Sequence, residues 1–280
     1  MGLGGNLMWT ALAREIYKKK KNPVLFIGKK NKILDYDIFK HNPYITFNKK
    51  EDHVKINLVL SKLPEQITKT EWNVDRHTIV SRCEHFKVKN PEIKCDLFFS
   101  KNEENKIKKI VEDLPDNFIV IEPHAKTSWC EHKQYPLEKW QKIVDSCYKD
   151  IPIVQMSLPG KKVLNNVIDI SSKINNFREA CLLIKYSELF ISTEGGLMHG
   201  CNAINKKCII IFAPLFHPKY TKYENVIDIW VRDDSHYNCF KVGKCLQCSE
   251  LMKNHNENIV INKLLFHIRP YYSGSPVLDY

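Results

Sequence analysis

The chain has 280 residues, 43% hydrophobic and 27% charged, ordinary globular proportions that exclude disordered, collagen-like and coiled-coil classes; the length suits two α/β domains. Its longest apolar stretch, residues 208–216, is far short of the ~20 residues of a membrane span, and residues 1–13 lack the basic start and apolar core of a signal peptide, so a soluble, cytoplasmic protein is expected. The net charge is +11, yet only six of the 43 basic residues are arginine. Arginine is the residue of bidentate phosphate and guanine recognition, so solvated lysine faces are expected first, peripheral contact with an anionic inner membrane face second, and no specific nucleic-acid binding.

In chain order, residues 7–19 carry apolar side chains near helical spacing after a glycine-rich turn, and Pro23 stops them. A short buried strand follows at 24–27 and another at 54–60. Residues 77–86 and 102–114 read as helices, the second ended by Pro115. The segment 117–122 (NFIVIE) is a strand, and a long polar loop leads to Pro136, whose missing N–H costs nothing at the start of a helix over 137–147. Then come a strand at 151–156, a helix at 177–186, a strand at 189–192, a helix at 197–204, a strand at 208–213 and a last helix at 259–268. The polar tail 273–280 is expected to fray.

Strand–helix alternation means parallel sheets with crossover helices. The expected architecture is α/β with two Rossmann-like domains, residues 1–115 and 116–280. A doubly wound domain normally opens with a strand that precedes its glycine-rich turn. Here the glycines begin at residue 2, so the first domain is expected to lack its opening strand through truncation or a mis-placed start.

Four features carry chemistry. Residues 2–10 (GLGGNLMWT) form a glycine-rich entry to a helix, which lets a ligand approach the backbone. The loop 124–136 follows strand 117–122 at the edge where open α/β sheets bind ligands, and it offers His124, Lys126, Thr127, Ser128 and Lys133 to phosphate oxygens. Residues 192–199 (STEGGLMH) make a strand–turn–helix junction where backbone N–H groups and the helix dipole favour a phosphate. Finally, Cys239, Cys245 and Cys248 form C-x5-C-x2-C, three of the four ligands of a structural metal site, with His236 or His255 as the fourth. The other seven of the ten cysteines are dispersed and, in a cytosolic chain, are read as thiols.

Three segments, GLGGNLMWTAL, EPHAKTSWCEHKQYPLEKW and STEGGLMHGCNAINKKCIIIFAP, resemble glycosyltransferase family 9, the heptosyltransferase-like group with the GT-B fold. The third segment is the most specific, matching the family's D-T-G-L-x-H motif. The resemblance implies a cleft between the two domains, the first on the acceptor side and the second binding the nucleotide sugar. It implies that Lys133 contacts the donor diphosphate and that Thr127 lies in the same loop. Glu194 stands where the family has Asp, Gly195 where it has Thr. Gly195, Gly196 and Leu197 would present backbone N–H groups to the phosphates, Met198 and His199 complete the donor motif, and Gly4, Gly5 and Asn6 face the acceptor.

The reaction implied is inverting transfer of a heptose or similar sugar from a nucleoside-diphosphate donor to a glycan or lipid-linked acceptor such as lipopolysaccharide. Lys133 and the helix N-terminus would stabilise the leaving diphosphate, so no metal or other cofactor is required for catalysis. Asn6 occupies the place of the family's Asp base, and an amide accepts no proton at neutral pH. Either another group such as His124, Glu131 or Glu194 serves, or Asn6 only orients the acceptor, or the chain is a silent homologue that binds nucleotide sugar or glycan. The cysteine cluster keeps a protein acceptor open, since some relatives glycosylate proteins and carry a cysteine-bound metal.

Overall fold

The computed structural model describes residues 2–58, 76–127, 130–215, 217–237, 239–241 and 243–268; Ser128, the end of the expected strand at 54–60 and the tail 273–280 lie outside these. The chain opens with helix α1 (Leu3–Leu7) and continues into α2 (Trp9–Lys20), which ends on Lys21 in the left-handed conformation at φ 60°. The glycine-rich stretch is therefore helical, not the turn expected. Glycine costs about 1 kcal/mol in a helix, but a Cβ on Gly4 would lie 2.3 Å from the His199 ring and 3.0 Å from the Gly196 Cα. Close packing between helices, rather than turn geometry, explains this glycine.

Strand β1 (Val24–Ile27) pairs in parallel with β2 (Val54–Asn57). Helix α3 (Thr78–His85) is capped by the His77 imidazole, which accepts from the Ile79 N–H at 3.1 Å. Helix α4 (Lys101–Val111) opens on a capping box in which Ser100 and Glu103 satisfy each other's backbone N–H groups.

The second half forms one six-stranded parallel sheet from β3 (Ile119–Glu122), β4 (Ile153–Gln155), β5 (Ile168–Asp169), β6 (Leu189–Thr193), β7 (Cys208–Phe212) and β8 (Val226–Trp230), in the spatial order β5-β4-β3-β6-β7-β8. Renumbered from its first strand this is 3-2-1-4-5-6, the doubly wound order with its switch point between β3 and β6. Both faces are buried. Ile119, Ile121, Ile191, Ile209 and Ile211 pack under α5 (Leu137–Asp145), α8 (Leu246–Asn254) and α9 (Asn258–Ile268). Val120, Phe190, Ile210 and Phe212 face α6 (Phe177–Tyr186), α7 (Gly196–Ala203) and, in the same apolar cluster, Leu12, Ile16, Val24 and Phe26 of the first half. Arg178 on α6 reinforces that contact, donating to Glu103 at 2.6 Å and to the Phe98 carbonyl at 2.5 Å; its guanidinium holds the Glu103 carboxyl down at about 2.

Strands β5 and β8 and helix α8 are not among the elements expected from the sequence. Strand β8 is an edge strand with the half-buried sequence VIDIW, whose interrupting Asp228 hides the alternation. Among the described residues, no helix is long and apolar enough to cross a membrane.

Candidate functional site

The switch point sets the site. Strands β3 and β6 pair in register from Ile119–Leu189 to Glu122–Ser192, and the connections leaving their carboxyl ends diverge to opposite sides, opening a crevice. From β3 the chain runs through His124 and the exposed Thr127 to a short 3-10 turn, Glu131–Lys133. From β6 it runs through Glu194 into α7, where Gly195 at the cap position provides no side-chain oxygen to the first-turn N–H groups. An uncapped helix N-terminus carries positive partial charge and favours an anion.

Lys133 and Glu194, 61 residues apart in sequence, meet in this crevice as an ion pair whose side chains are 12% and 9% exposed. With Phe212, Ala213 and Leu215 they line a water-sized cavity. Lys133 thus stands beside the N-terminus of α7, and the two together place a cation and a helix dipole on one small volume.

The first helix closes against the same place. Gly4 packs on Gly196 and His199, and the Gly5 carbonyl accepts from Arg82 Nη1 at 2.6 Å. Arg82 also lies over the Trp9 ring, 4.5 Å from its centroid. His199 is buried and hydrogen-bonded through Nδ1 to the Tyr223 hydroxyl at 2.6 Å, which in turn meets Cys95 Sγ at 3.2 Å. Burial pushes the His199 imidazole down to about 3 and His77, whose ring packs 5.1 Å from that of Tyr223, down to about 4. His199 is therefore a neutral packed residue that positions the start of α7. Met198 is buried in the core beneath it.

Gly4, Gly196, His199, Glu194 and Lys133 are thus brought together, with Gly5 and Asn6 on the adjoining helix. Thr127 is exposed on the shared loop. Of the alternative bases, His124 uses Nε2 on the Lys162 carbonyl at 2.8 Å, Glu131 is exposed, and Glu194 is held by Lys133. Sequence reasoning missed Arg82, Tyr223 and Glu122. Glu122, the charged end of an otherwise apolar strand, shares the sheet face of Val120, and burial pushes its carboxyl up to about 8. A charge closing the run NFIVIE was the signal that could have found it.

The cysteine cluster resolves the choice of fourth ligand. Ligand atoms of His236, Cys239, Cys245 and Cys248 all lie within 4.8 Å of one another. Cys239 Sγ and His236 Nε2 stand 3.2 and 3.1 Å from Cys248 Sγ, and Cys245 Sγ is 3.4 Å from that same nitrogen. The edges of a tetrahedron around a zinc-sized ion are roughly 3.5–3.8 Å for sulfur and nitrogen ligands, so three thiols and an imidazole fit a structural metal with little adjustment. His255 is not in this group; its Nδ1 meets the Tyr135 hydroxyl at 3.0 Å.

The sequence matches the family description glycosyltransferase family 9 (heptosyltransferase) over residues 38–249. Among solved structures the fold is similar to a glycosyl transferase family 9 protein from Veillonella parvula DSM 2008, with a TM-score of 0.63, 10% identity and coverage of 96% of this chain and 95% of that one. It is also similar to the E. coli ADP-heptose lps heptosyltransferase II, with a TM-score of 0.64, 10% identity and 96% of both chains covered. A third is the iron-containing dodecameric glycosyltransferase TibC from enterotoxigenic E. coli H10407, with a TM-score of 0.66, 13% identity, and 96% and 74% covered. No curated protein sequence matches the chain.

Proposed function

The chain belongs to glycosyltransferase family 9, and from that premise we propose that this glycosyltransferase moves a heptose or similar sugar from a nucleoside-diphosphate donor to a cell-surface glycan such as lipopolysaccharide, with inversion and without a metal in the chemical step. The observation that carries the reading is the Lys133–Glu194 pair beside the uncapped start of α7 at the β3/β6 switch point. A solved neighbour at TM-score 0.62 was crystallised with ADP-D-beta-D-heptose, which supports a nucleotide-sugar donor. Residues 1–115 form the acceptor side and residues 116–280 the donor side, and a lysine-rich surface gives peripheral contact with the anionic inner membrane face.

In this reading the diphosphate oxygens take over the Lys133 ammonium from Glu194, and the N–H groups of Gly196, Leu197 and Met198 face the same phosphates. As the acceptor hydroxyl oxygen bonds to the anomeric carbon from the opposite face and gives its proton to a base, the bond to the diphosphate oxygen breaks and negative charge grows on the leaving group. A fixed cation and a preorganised helix N-terminus stabilise it without reorganisation. Glu194, released from Lys133, accepts hydrogen bonds from the donor sugar, and Thr127 adds a hydroxyl from the loop.

His236, Cys239, Cys245 and Cys248 hold a structural metal; a set of three thiolates and one imidazole suits zinc or iron, and one neighbour is described as iron-containing. The metal cross-links its loop and takes no part in the transfer.

A thermal-shift panel of ADP, UDP, GDP, CDP and CMP tests the reading. A ligand at 100 times its dissociation constant adds about 2.7 kcal/mol, and one nucleotide is expected to stabilise the wild type and not Lys133→Ala. Failure of all five would overturn the donor assignment. Asn6, which accepts no proton at neutral pH, favours one second reading, a silent homologue: nucleotide binding without donor hydrolysis or transfer would establish it.

A further inference from the structure

The thiol–imidazole group and the donor pair are joined through backbone. Gly243 lies between Cys239 and Cys245, and its carbonyl accepts from the Glu131 N–H at 3.1 Å while Cys130 and Gly243 form a parallel bridge. Glu131 opens the turn that carries Lys133. On the other side of the same loop, the Phe240 N–H donates to the Leu215 carbonyl at 2.9 Å and the Cys239 N–H reaches the Pro214 carbonyl at 3.4 Å. Cys239 and Phe240 pack on a small apolar cluster of Cys130, Leu215 and Tyr220, and Leu215 is a wall of the cavity that holds Lys133 and Glu194. Helix α8, which begins directly after Cys245, rests on the turn Glu131–Lys133.

Both walls of the donor cavity therefore lean on Cys239, Phe240 and Gly243. Among the described residues, the segment between β8 and α8 contains no helix or strand; its internal contacts include a short bridge between Asp233 and His236, the turn closed by the Asp233 carboxylate, and the approach of Cys245 Sγ to His236 Nε2. With so little regular structure of its own, this segment relies on those few contacts, and a cross-link among its four ligands adds folding energy of the kind structural metals supply.

We propose that metal held by His236, Cys239, Cys245 and Cys248 fixes the Glu131–Lys133 turn through the Gly243 carbonyl, making Gly243 and the four ligands positioning residues for the lysine that meets the donor diphosphate. This rests on the reading of Lys133 given under Proposed function. Loss of the metal lets Cys239, Phe240 and Gly243 relax and removes the anchor of the turn, so the cation leaves its place beside α7. The chain thereby ties donor affinity to metal supply.

The test uses the full chain. Metal content is measured by mass spectrometry, and the affinity for the nucleoside diphosphate selected by the thermal-shift panel is measured by calorimetry. The samples are loaded, chelator-stripped and zinc-reloaded wild type, Cys248→Ser, Gly243→Ala, and Lys133→Ala with and without metal. Gly243 has φ +89° and open space around its missing Cβ, so alanine there strains the backbone at that carbonyl without a clash or the loss of a ligand.

The expected results are about one metal per chain and a nucleotide affinity weakened about tenfold or more on stripping, equivalent to loss of one charge-assisted hydrogen bond, with recovery on reloading. Gly243→Ala is expected to keep its metal and lose nucleotide affinity, and the residual binding of Lys133→Ala to be insensitive to metal. Absence of bound metal, equal affinity of the stripped and loaded protein at unchanged far-UV circular dichroism, or an equal effect of stripping on Lys133→Ala and wild type would each overturn the proposal. If Lys133→Ala binds nucleotide as wild type does, the donor reading itself fails; if it loses binding while stripping changes nothing, only the coupling fails. Chelation and Gly243→Ala decide the matter should Cys248→Ser not fold.

Discussion

Replacing Lys133 by methionine removes the cation beside a Glu194 carboxylate that is 9% exposed. The side chain keeps its length and apolar stem, so little packing is lost and the effect reports the stranded charge. Breaking a buried pair from one side costs about 3–5 kcal/mol; here a water-sized cavity adjoins the pair, and about 2 kcal/mol is expected. Glu194→Gln strands an ammonium in the same place and is expected to cost a similar amount. The double variant removes both charges and should lie within about 1 kcal/mol of wild type, which makes the coupling energy about 3–5 kcal/mol. The assay is urea unfolding at pH 7 followed in parallel by tryptophan fluorescence and far-UV circular dichroism, with coincident transitions required before midpoints are converted to free energies. The two single variants should also part company in ligand binding, because Glu194→Gln keeps the cation and Lys133→Met does not. Single variants each within about 0.5 kcal/mol of wild type, with an additive double variant, would refute the claim that this pair is buried and coupled.

Glu122, pushed up to about 8 from an ordinary 4.5 by burial, is protonated in the fold at neutral pH and ionised in the unfolded chain. Its stabilising contribution is complete below about 4.5 and falls by about 1.4 kcal/mol per pH unit up to about 8; Glu122→Gln should flatten the stability profile across that window, and parallel profiles would count against the burial argument. His199 and His77, held down at about 3 and about 4 from 6.5, act in the opposite direction. Each withdraws about 1.4 kcal/mol per unit as pH falls from 6.5 towards those values, so His199→Gln should unfold in acid with one proton less taken up. Gly4→Ala places a Cβ 2.3 Å from the His199 ring and 3.0 Å from the Gly196 Cα; a loss of about 1–3 kcal/mol together with weaker nucleotide binding is expected, with Gly2→Ala, which meets nothing within 4 Å, as the neutral control. Equal melting temperatures for the two alanine variants would show that α1 does not press on α7.

The sequence by itself determined which segments become strands and helices wherever the signal is local. The runs VLFI, NFIVIE and CIIIF are apolar because strands of parallel sheets are buried on both faces, and α6 at Phe177–Tyr186 follows its helical periodicity to the residue. The glycine pair before α7, the C-x5-C-x2-C spacing and the resemblance of three short segments to one family were also legible in the residues alone. Residues 2–5 look like a turn in the sequence, because glycine in isolation favours turns and nothing local announces a helix that must lie against His199. Only the tertiary structure decided that β3 and β6 are neighbours at a switch point, that Lys133 is paired with Glu194, and that His236 rather than His255 joins the three cysteines. The reason is physical: strand and helix periodicity is encoded over a handful of residues, whereas strand order and ion pairing are settled by packing between segments far apart in the chain, and one residue carries no record of which distant residue will face it.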